Sequence, residues 1–234
     1  MDISIRLSER TAVVTGACSS LGRAICQKLT ECGASVLIAD LNGKSGERLA
    51  EDLMNQREVH EKRGRAVFLH TDPQNHQQVS DTVIRGAETF GGVDILVDLF
   101  TLDTKSFESA QWLTERALPF FTSRKRGKTL FFRSELVHPE DQDFQKWMED
   151  KAKANLTLPI NFNILRVGAT EEYLLKTYPQ KNIQQALTEC YPQVDSLRLA
   201  DSSQIASTVS FLSSPWGNAI NGESLSLSGG LRLL

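Results

Sequence analysis

Three short stretches hold residue types at spacings that chemistry requires. The first is ThrGlyAlaCysSerSerLeuGly, residues 15–22, which follows the apolar run TAVVT and leads into the helical pattern ArgAlaIleCysGlnLysLeu. A glycine turn between a buried strand and a helix brings backbone N–H groups and the positive end of the helix dipole toward a pyrophosphate. The second is LeuIleAlaAsp, which ends at Asp40, about 20 residues after the turn. A carboxylate there can accept from the adenosine ribose hydroxyls of NAD, and it repels the 2′-phosphate of NADP. The third is QDFQKWMEDKAKAN, residues 142–155, where Lys151 shares a helical stripe with Phe144, Trp147 and Met148. Such a lysine is either a surface residue burying its stem or an ammonium held for a task.

Positioning these residues needs rigid elements, and the chain supplies them in alternation. Short β-branched runs lie at 11–15, 35–39, 66–69, 93–97, 129–132, 160–165 and 223–227. Amphipathic patterns lie between them, near 20–32, 43–58, 75–90, 107–122, 140–156, 171–190 and 202–213. Apolar runs alternating with helical periods are the pattern of a parallel sheet covered on both faces. The fold class expected is therefore α/β, a Rossmann-like doubly wound sheet of about seven parallel strands with helices on both faces. With 234 residues, 40% of them hydrophobic, the chain suits one domain over 1–234. The run ArgLysArgGlyLys, 124–128, reads as a solvated helix end, with Gly127 as its cap.

Bulk properties remove several function classes. A net charge of −3 supplies no global basic field, so nucleic acid and anionic membrane are not expected partners. No secretory leader or long apolar span is legible, so a cytoplasmic setting is expected. Cys18, Cys26, Cys32 and Cys190 show no ligand spacing and the four histidines are scattered, so no metal site is expected.

Jointly, the glycine turn, the strand-ending acid and VDILV at 93–97 resemble the short-chain dehydrogenase/reductase (SDR) family. The likeness runs from roughly Leu7 to Ser134 and again from Ala152 to Leu234; SerSerGlnIleAlaSerThrValSerPheLeuSerSer and AsnGlyGluSerLeuSerLeuSerGlyGly are similar to the family's last helix and last strand. The resemblance implies that Thr15, Gly16, Ser20, Leu21 and Gly22 face the dinucleotide phosphates, with Ser20 where the family has its middle glycine. It implies Asp40 at the ribose and Asp72 beside the adenine. Ser134 would orient a substrate carbonyl, and Lys151 would hold the nicotinamide ribose. Position 19 is Ser rather than a basic residue, so NAD is favoured over NADP. Residues 166–200, which include Tyr173, Tyr178 and Tyr191, resemble the family's substrate loop, an insertion within the domain.

The departures fall on the chemistry. Thirteen residues after Ser134, where the family places its catalytic Tyr, stands Trp147, with Lys151 at the proper distance beyond. In the family that hydroxyl exchanges the proton at the carbonyl oxygen, its pKa lowered by the lysine. An indole N–H only donates and does not titrate near neutrality. The family's Asn-Asn-Ala-Gly after the fourth strand is replaced by Asp98, Leu99, Phe100 and Thr101, and its Pro-Gly after the sixth by Val167 and Gly168, following Arg166. The lead-in to the fourth helix is short, and no Asn occurs between Asn75 and Asn155 to complete a proton relay. A shortened fourth helix also implies an altered helix-four/helix-five contact in any homo-oligomer. The favoured expectation is a binding or regulatory pseudo-enzyme with NAD as its ligand. The alternatives are an active NAD(H)-dependent alcohol/carbonyl oxidoreductase with another proton donor, such as His138 or a loop tyrosine, and a non-redox lyase or cyclase.

Overall fold

Aliphatic runs become strands here because helices cover both of their faces. The computed structural model describes residues 5–59, 63–102, 104, 106–135, 141–191, 199 and 201–229. In chain order these form β1 (Thr11–Thr15), α1 (Ser20–Glu31), β2 (Ser35–Asp40), α2 (Gly43–Val59), β3 (Ala66–His70), α3 (His76–Phe90), β4 (Ile95–Asp98) and α4 (Glu108–Arg124). There follow β5 (Gly127–Ser134), α5 (Gln142–Ala154), β6 (Ile160–Val167), α6 (Glu171–Thr177), α7 (Ile183–Cys190), α8 (Ser202–Ser213), a 3-10 turn (Pro215–Ala219) and β7 (Ser224–Leu227). The strands pair in parallel in the order β3-β2-β1-β4-β5-β6-β7. The expected doubly wound α/β sheet is thus present, and the winding reverses between β1 and β4, where such folds open a crevice at the carboxyl ends of their strands.

Alternation along each strand feeds two cores. Val14, Leu130 and Phe132 pack with Ile25, Leu29 and Val209 under α1 and α8. Val13 and Phe131 pack with Val83, Leu113, Phe121, Phe144 and Met148 under α3, α4 and α5. Each fully buried Leu or Phe contributes about 1.5–3 kcal/mol, so the strands are held by side chains on both faces as well as by their ladders.

Two expectations are corrected. The helix expected over 171–190 is two helices, because Pro179 disfavours helical backbone at Tyr178. Asn182 then restarts the helix: its side chain accepts from Gln185 N at 2.9 Å, and the Gln185 side chain accepts from Asn182 N at 3.2 Å. The basic run 124–128 is not a solvated helix end. The cap is Lys125, in left-handed backbone at φ 50°, while Gly127 begins β5 with a Cβ position only 2.4 Å from the Phe121 ring.

Arg124 and Arg126 turn inward to Asp94, which is 2% exposed. The Asp94 carboxylate accepts from Arg124 Nε at 2.9 Å, from Arg126 Nε, and from Thr11 N at 3.0 Å, with Arg10 at 3.7 Å. One carboxylate thereby ties the start of β1 to β4 and to the α4–β5 junction. Burial opposes its charge, but the hydrogen bonds from Arg124, Arg126 and Thr11 outweigh burial and hold the carboxyl below the usual range. The stabilisation is therefore complete above the unfolded value of about 3.9 and is lost as pH falls through the lower folded value. Asp94→Asn should destabilise the protein by about 3–5 kcal/mol near neutral pH. Urea unfolding should show this deficit shrinking below about pH 4; a deficit that stays constant into acid would contradict the assignment.

Candidate functional site

The β1–α1 turn is built by its own backbone requirements. Gly16 has φ +61°, a conformation that disfavours a side chain, and its Cβ position lies 3.0 Å from Leu99 Cβ. Gly22 is required by contact: a Cβ there would lie 2.6 Å from Ala17 Cα and Gly16 O. Ser19 caps α1, its Oγ accepting from Gly22 N at 3.0 Å and donating to Gly16 O at 2.9 Å. Asp40, at the end of β2, accepts from Cys18 N at 2.8 Å and Asn42 N at 2.9 Å, which fixes its carboxylate beside the turn. Asp72 serves its own bend after β3, accepting from Gln74 N at 2.9 Å while its amide donates to Gln78 Oε1 at 2.8 Å.

Across the crevice, Thr15 Oγ1 donates to Asp98 Oδ1 at 2.6 Å and accepts from Leu99 N at 3.2 Å. Asp98 is fully buried, and it also accepts from Ser109 Oγ at 3.0 Å and Phe100 N at 3.1 Å. Burial raises its pKa, against the opposing pull of those donors. Leu99 packs on the α1 side of the sheet and Phe100 on the α3–α5 side.

The stretch that follows folds back over β5. Thr101 Oγ1 donates to Phe132 O at 2.8 Å, and Ser134 N donates to Leu102 O at 3.1 Å. Ser134 ends β5 with 5% exposure, under this strap. The strap is clasped by Arg133, which is 1% exposed. Its Nη1 donates to Thr101 O at 2.8 Å and Thr104 O at 2.7 Å, its Nε donates to Asp141 Oδ2 at 2.6 Å, and its guanidinium lies 4.8 Å from the Phe144 ring centre. Asp141 in turn caps α5 by accepting from Phe144 N at 3.4 Å.

Trp147 lies in an aromatic stack rather than alone. Its ring centre is 5.4 Å from Phe131, 5.7 Å from Phe144 and 5.8 Å from Phe107, and Phe107 itself stacks on Phe144 at 5.0 Å. Pairs at such distances contribute about 0.5–1.5 kcal/mol each beyond their buried area. Lys151 Nζ lies 5.8 Å from the Trp147 ring centre, a cation–π contact at the outer limit. Both residues are half-buried. His138 lies outside the described residues.

Sequence reasoning assigned Ser20 to the phosphates. The structure instead brings Glu172 of α6 to Ser20, where Oε2 accepts from the backbone N at 2.7 Å and from Oγ at 2.6 Å. A carboxylate thus sits on the first amide of α1, where charge-assisted donors and the dipole favour an anion. Glu172 lines two clefts. One of about 600 Å³ is lined by Ser20, Glu171, Leu175 and Asp201; the other, of about 360 Å³, by Ser19, Leu21, Leu102 and Tyr173. Arg133 was missed altogether, although a cation amid TLFFRS should have signalled a buried ion pair.

A parallel sheet with a glycine turn at its switch point, an acid after β2 and a Ser-to-Lys spacing on β5 and α5 defines a Rossmann-like protein of dehydrogenase architecture. The model of the short chain dehydrogenase family matches residues 10–113. YvaG, an uncharacterized oxidoreductase of Bacillus subtilis (strain 168), is 27% identical over 98% of this chain and 98% of its own length. The 3-oxoacyl-[acyl-carrier-protein] reductase FabG of Vibrio cholerae serotype O1 is 25% identical over 98% of this chain and 100% of its own. The crystal structure of levodione reductase superposes with a TM-score of 0.83 at 20% identity, covering 97% of this chain and 99% of that one. The family model over residues 10–113 and the full-length similarity to these oxidoreductases support placing the chain with the short-chain dehydrogenase/reductase proteins, as a divergent relative. Its alignment with FabG spans 254 positions against 234 residues here, so that relative carries stretches this chain lacks. Among the described residues no helix is long and apolar enough to cross a membrane, and no group of three His, Cys, Asp or Glu is placed to hold a metal.

The Arg133 clasp makes the strap testable. Arg133→Met should cost about 3 kcal/mol in urea unfolding, since it leaves Asp141 unpaired. Hydrogen exchange at the Ser134 amide should accelerate beyond what that loss of global stability predicts. Exchange that merely tracks global stability would show that the strap is held by other contacts.

Proposed function

We propose that this protein keeps the short-chain dehydrogenase framework as a ligand-binding or regulatory unit in which tyrosine-dependent hydride transfer is lost. The single domain over 1–234, a cytoplasmic setting and NAD as the preferred ligand belong to this reading. The observation that carries it is Trp147. By its spacing from Ser134 and Lys151 it stands where the family resemblance expects the proton-exchanging phenol, and its indole stacks against Phe131, Phe144 and Phe107 with Lys151 over its face. An indole cannot cycle a proton near neutral pH, and removing a general acid costs about 10²–10⁴-fold in rate.

The residues at hand fit one half of a dinucleotide well. Asp40, fixed by Cys18 N and Asn42 N, is oriented to accept from ribose hydroxyls, and the crevice between β1 and β4 lies beside it. A bound nicotinamide dinucleotide would supply hydride chemistry, and Ser134 and Lys151 would orient what lies beside its ring. The pyrophosphate half fits only when Glu172 leaves Ser20. Glu172 therefore acts as an internal competitor, so ligand affinity depends on the position of α6.

One observation favours an active oxidoreductase as the second reading. Tyr173, on α6, lines the cleft beside the glycine turn together with Ser19 and Leu102. A phenol there is a candidate substitute for the missing donor.

Melting measurements separate the steps. NAD or NADH should raise the Tm by mass action and NADPH should not. Glu172→Gln should tighten NAD binding about fivefold, the scale of a removed anion at a helix N-terminus. No shift with any nucleotide, in either variant, would refute ligand binding. On a broad alcohol and carbonyl panel no NAD(H)-linked turnover is expected. Turnover abolished by Ser134→Ala or Tyr173→Phe would overturn the loss of catalysis.

A further inference from the structure

At the opposite end of the sheet from the glycine turn, the strand amino ends and the end of α8 enclose a cavity of about 250 Å³. Arg10, Lys125, Arg126 and Lys128 line it, and Asp94 is the one carboxylate among its lining residues. Arg124 also reaches Asp94, so three of these five cations share one carboxylate, in a chain whose net charge is −3. Asp94 already accepts from Thr11, Arg124 and Arg126, which leaves little of its charge for the rest.

The excess is held in place by the fold rather than by counter-charges. Lys128 is 8% exposed and donates to Asn161 Oδ1 and Asn218 Oδ1, both at 2.6 Å and both neutral. Burial, with Arg10 nearby, lowers its pKa to about 8, so it remains mostly charged at neutral pH. Arg10 is likewise lowered, first by burial and then by Arg126, with Asp94 pulling the other way. Lys125 is exposed at the rim, its backbone in the left-handed cap conformation. A second, uncharged observation lies in the wall of the same cavity. Ser213 lines it, is 4% exposed, and its Oγ is buried with no hydrogen-bond partner. Buried hydroxyls are almost always satisfied.

We propose that this cavity is a binding site for a small multivalent oxyanion, a phosphate group free or borne by a small phosphomonoester. Guanidinium and ammonium donors converging from β1, the α4–β5 junction and β5 match the several acceptors of a phosphate, and Ser213 Oγ supplies a neutral donor. The volume lies below the roughly 300–1,000 Å³ of sites for drug-sized ligands, which excludes a dinucleotide. The site is independent of the crevice at the other end of the sheet and of whether NAD binds there.

The test is titration of the full chain with inorganic phosphate and pyrophosphate, read by calorimetry and by Tm, against sodium chloride of matched ionic strength. One phosphate per chain is expected, with a Tm rise that chloride does not reproduce. The double variant Arg10→Gln/Lys125→Asn should weaken binding at least tenfold; Asn tolerates the left-handed backbone at 125, and Arg10 makes only the long 3.7 Å contact to Asp94. Ser213→Ala, which changes no charge, should weaken binding several-fold. Ser20→Asp, which places a fixed carboxylate at the α1 N-terminus, should leave phosphate affinity unchanged. A Tm response equal to that of chloride, or affinity unaffected by the double variant, or affinity lost in Ser20→Asp, would overturn the proposal.

Discussion

A guanidinium buried to 1% exposure cannot remain unpaired, and the arrangement around Arg133 follows from that constraint. Its donors require the carbonyls of Thr101 and Thr104 and the carboxylate of Asp141, so the strap after β4 and the first turn of α5 are fixed together. Asp141 sets the start of α5, which sets Phe144 one turn on and the face on which Trp147 stacks. Ser134, the next residue along β5, has its amide bound to the strap carbonyl of Leu102. One buried charge thus fixes the strap, the end of β5 and the start of α5 relative to one another.

The glycine-turn framework rests on backbone requirements of its own. Gly22 is demanded by contact with Ala17 and Gly16, and Gly16 by its φ, whether or not a phosphate lies nearby. The turn therefore records ancestry more securely than use. Its anion seat is meanwhile engaged by Glu172, and the cations at the far end of the sheet outnumber their carboxylate. The two ends of the sheet thus differ electrostatically. One satisfies its donors with the chain's own acid, and the other retains an excess of positive charge.

Much of the fold was legible because hydrophobic period is a local property. TAVVT and SVLIA declare buried strands, and the glycine turn declares where the first strand meets its helix. Asp40 was legible for the same reason, since its distance from the turn is set by one helix and one strand. The break between α6 and α7 was available in Tyr178-Pro179 but was masked by apolar residues on either side. The run 124–128 was misread because charge runs are usually solvated, and only the position of Asp94, just before β4, reveals an inward partner.

The sequence by itself determined the order of elements, the sheet's parallel character and the family resemblance, and it sets an indole at position 147, four residues before Lys151. Each of these depends on residue identity and short-range spacing. Tertiary structure alone decided that Arg133 is interior, that Glu172 reaches Ser20 across 152 positions of chain, and that Arg10, Lys128 and Ser213 share one cavity. Those facts depend on long-range approach of elements, and no local pattern encodes which charge will meet which.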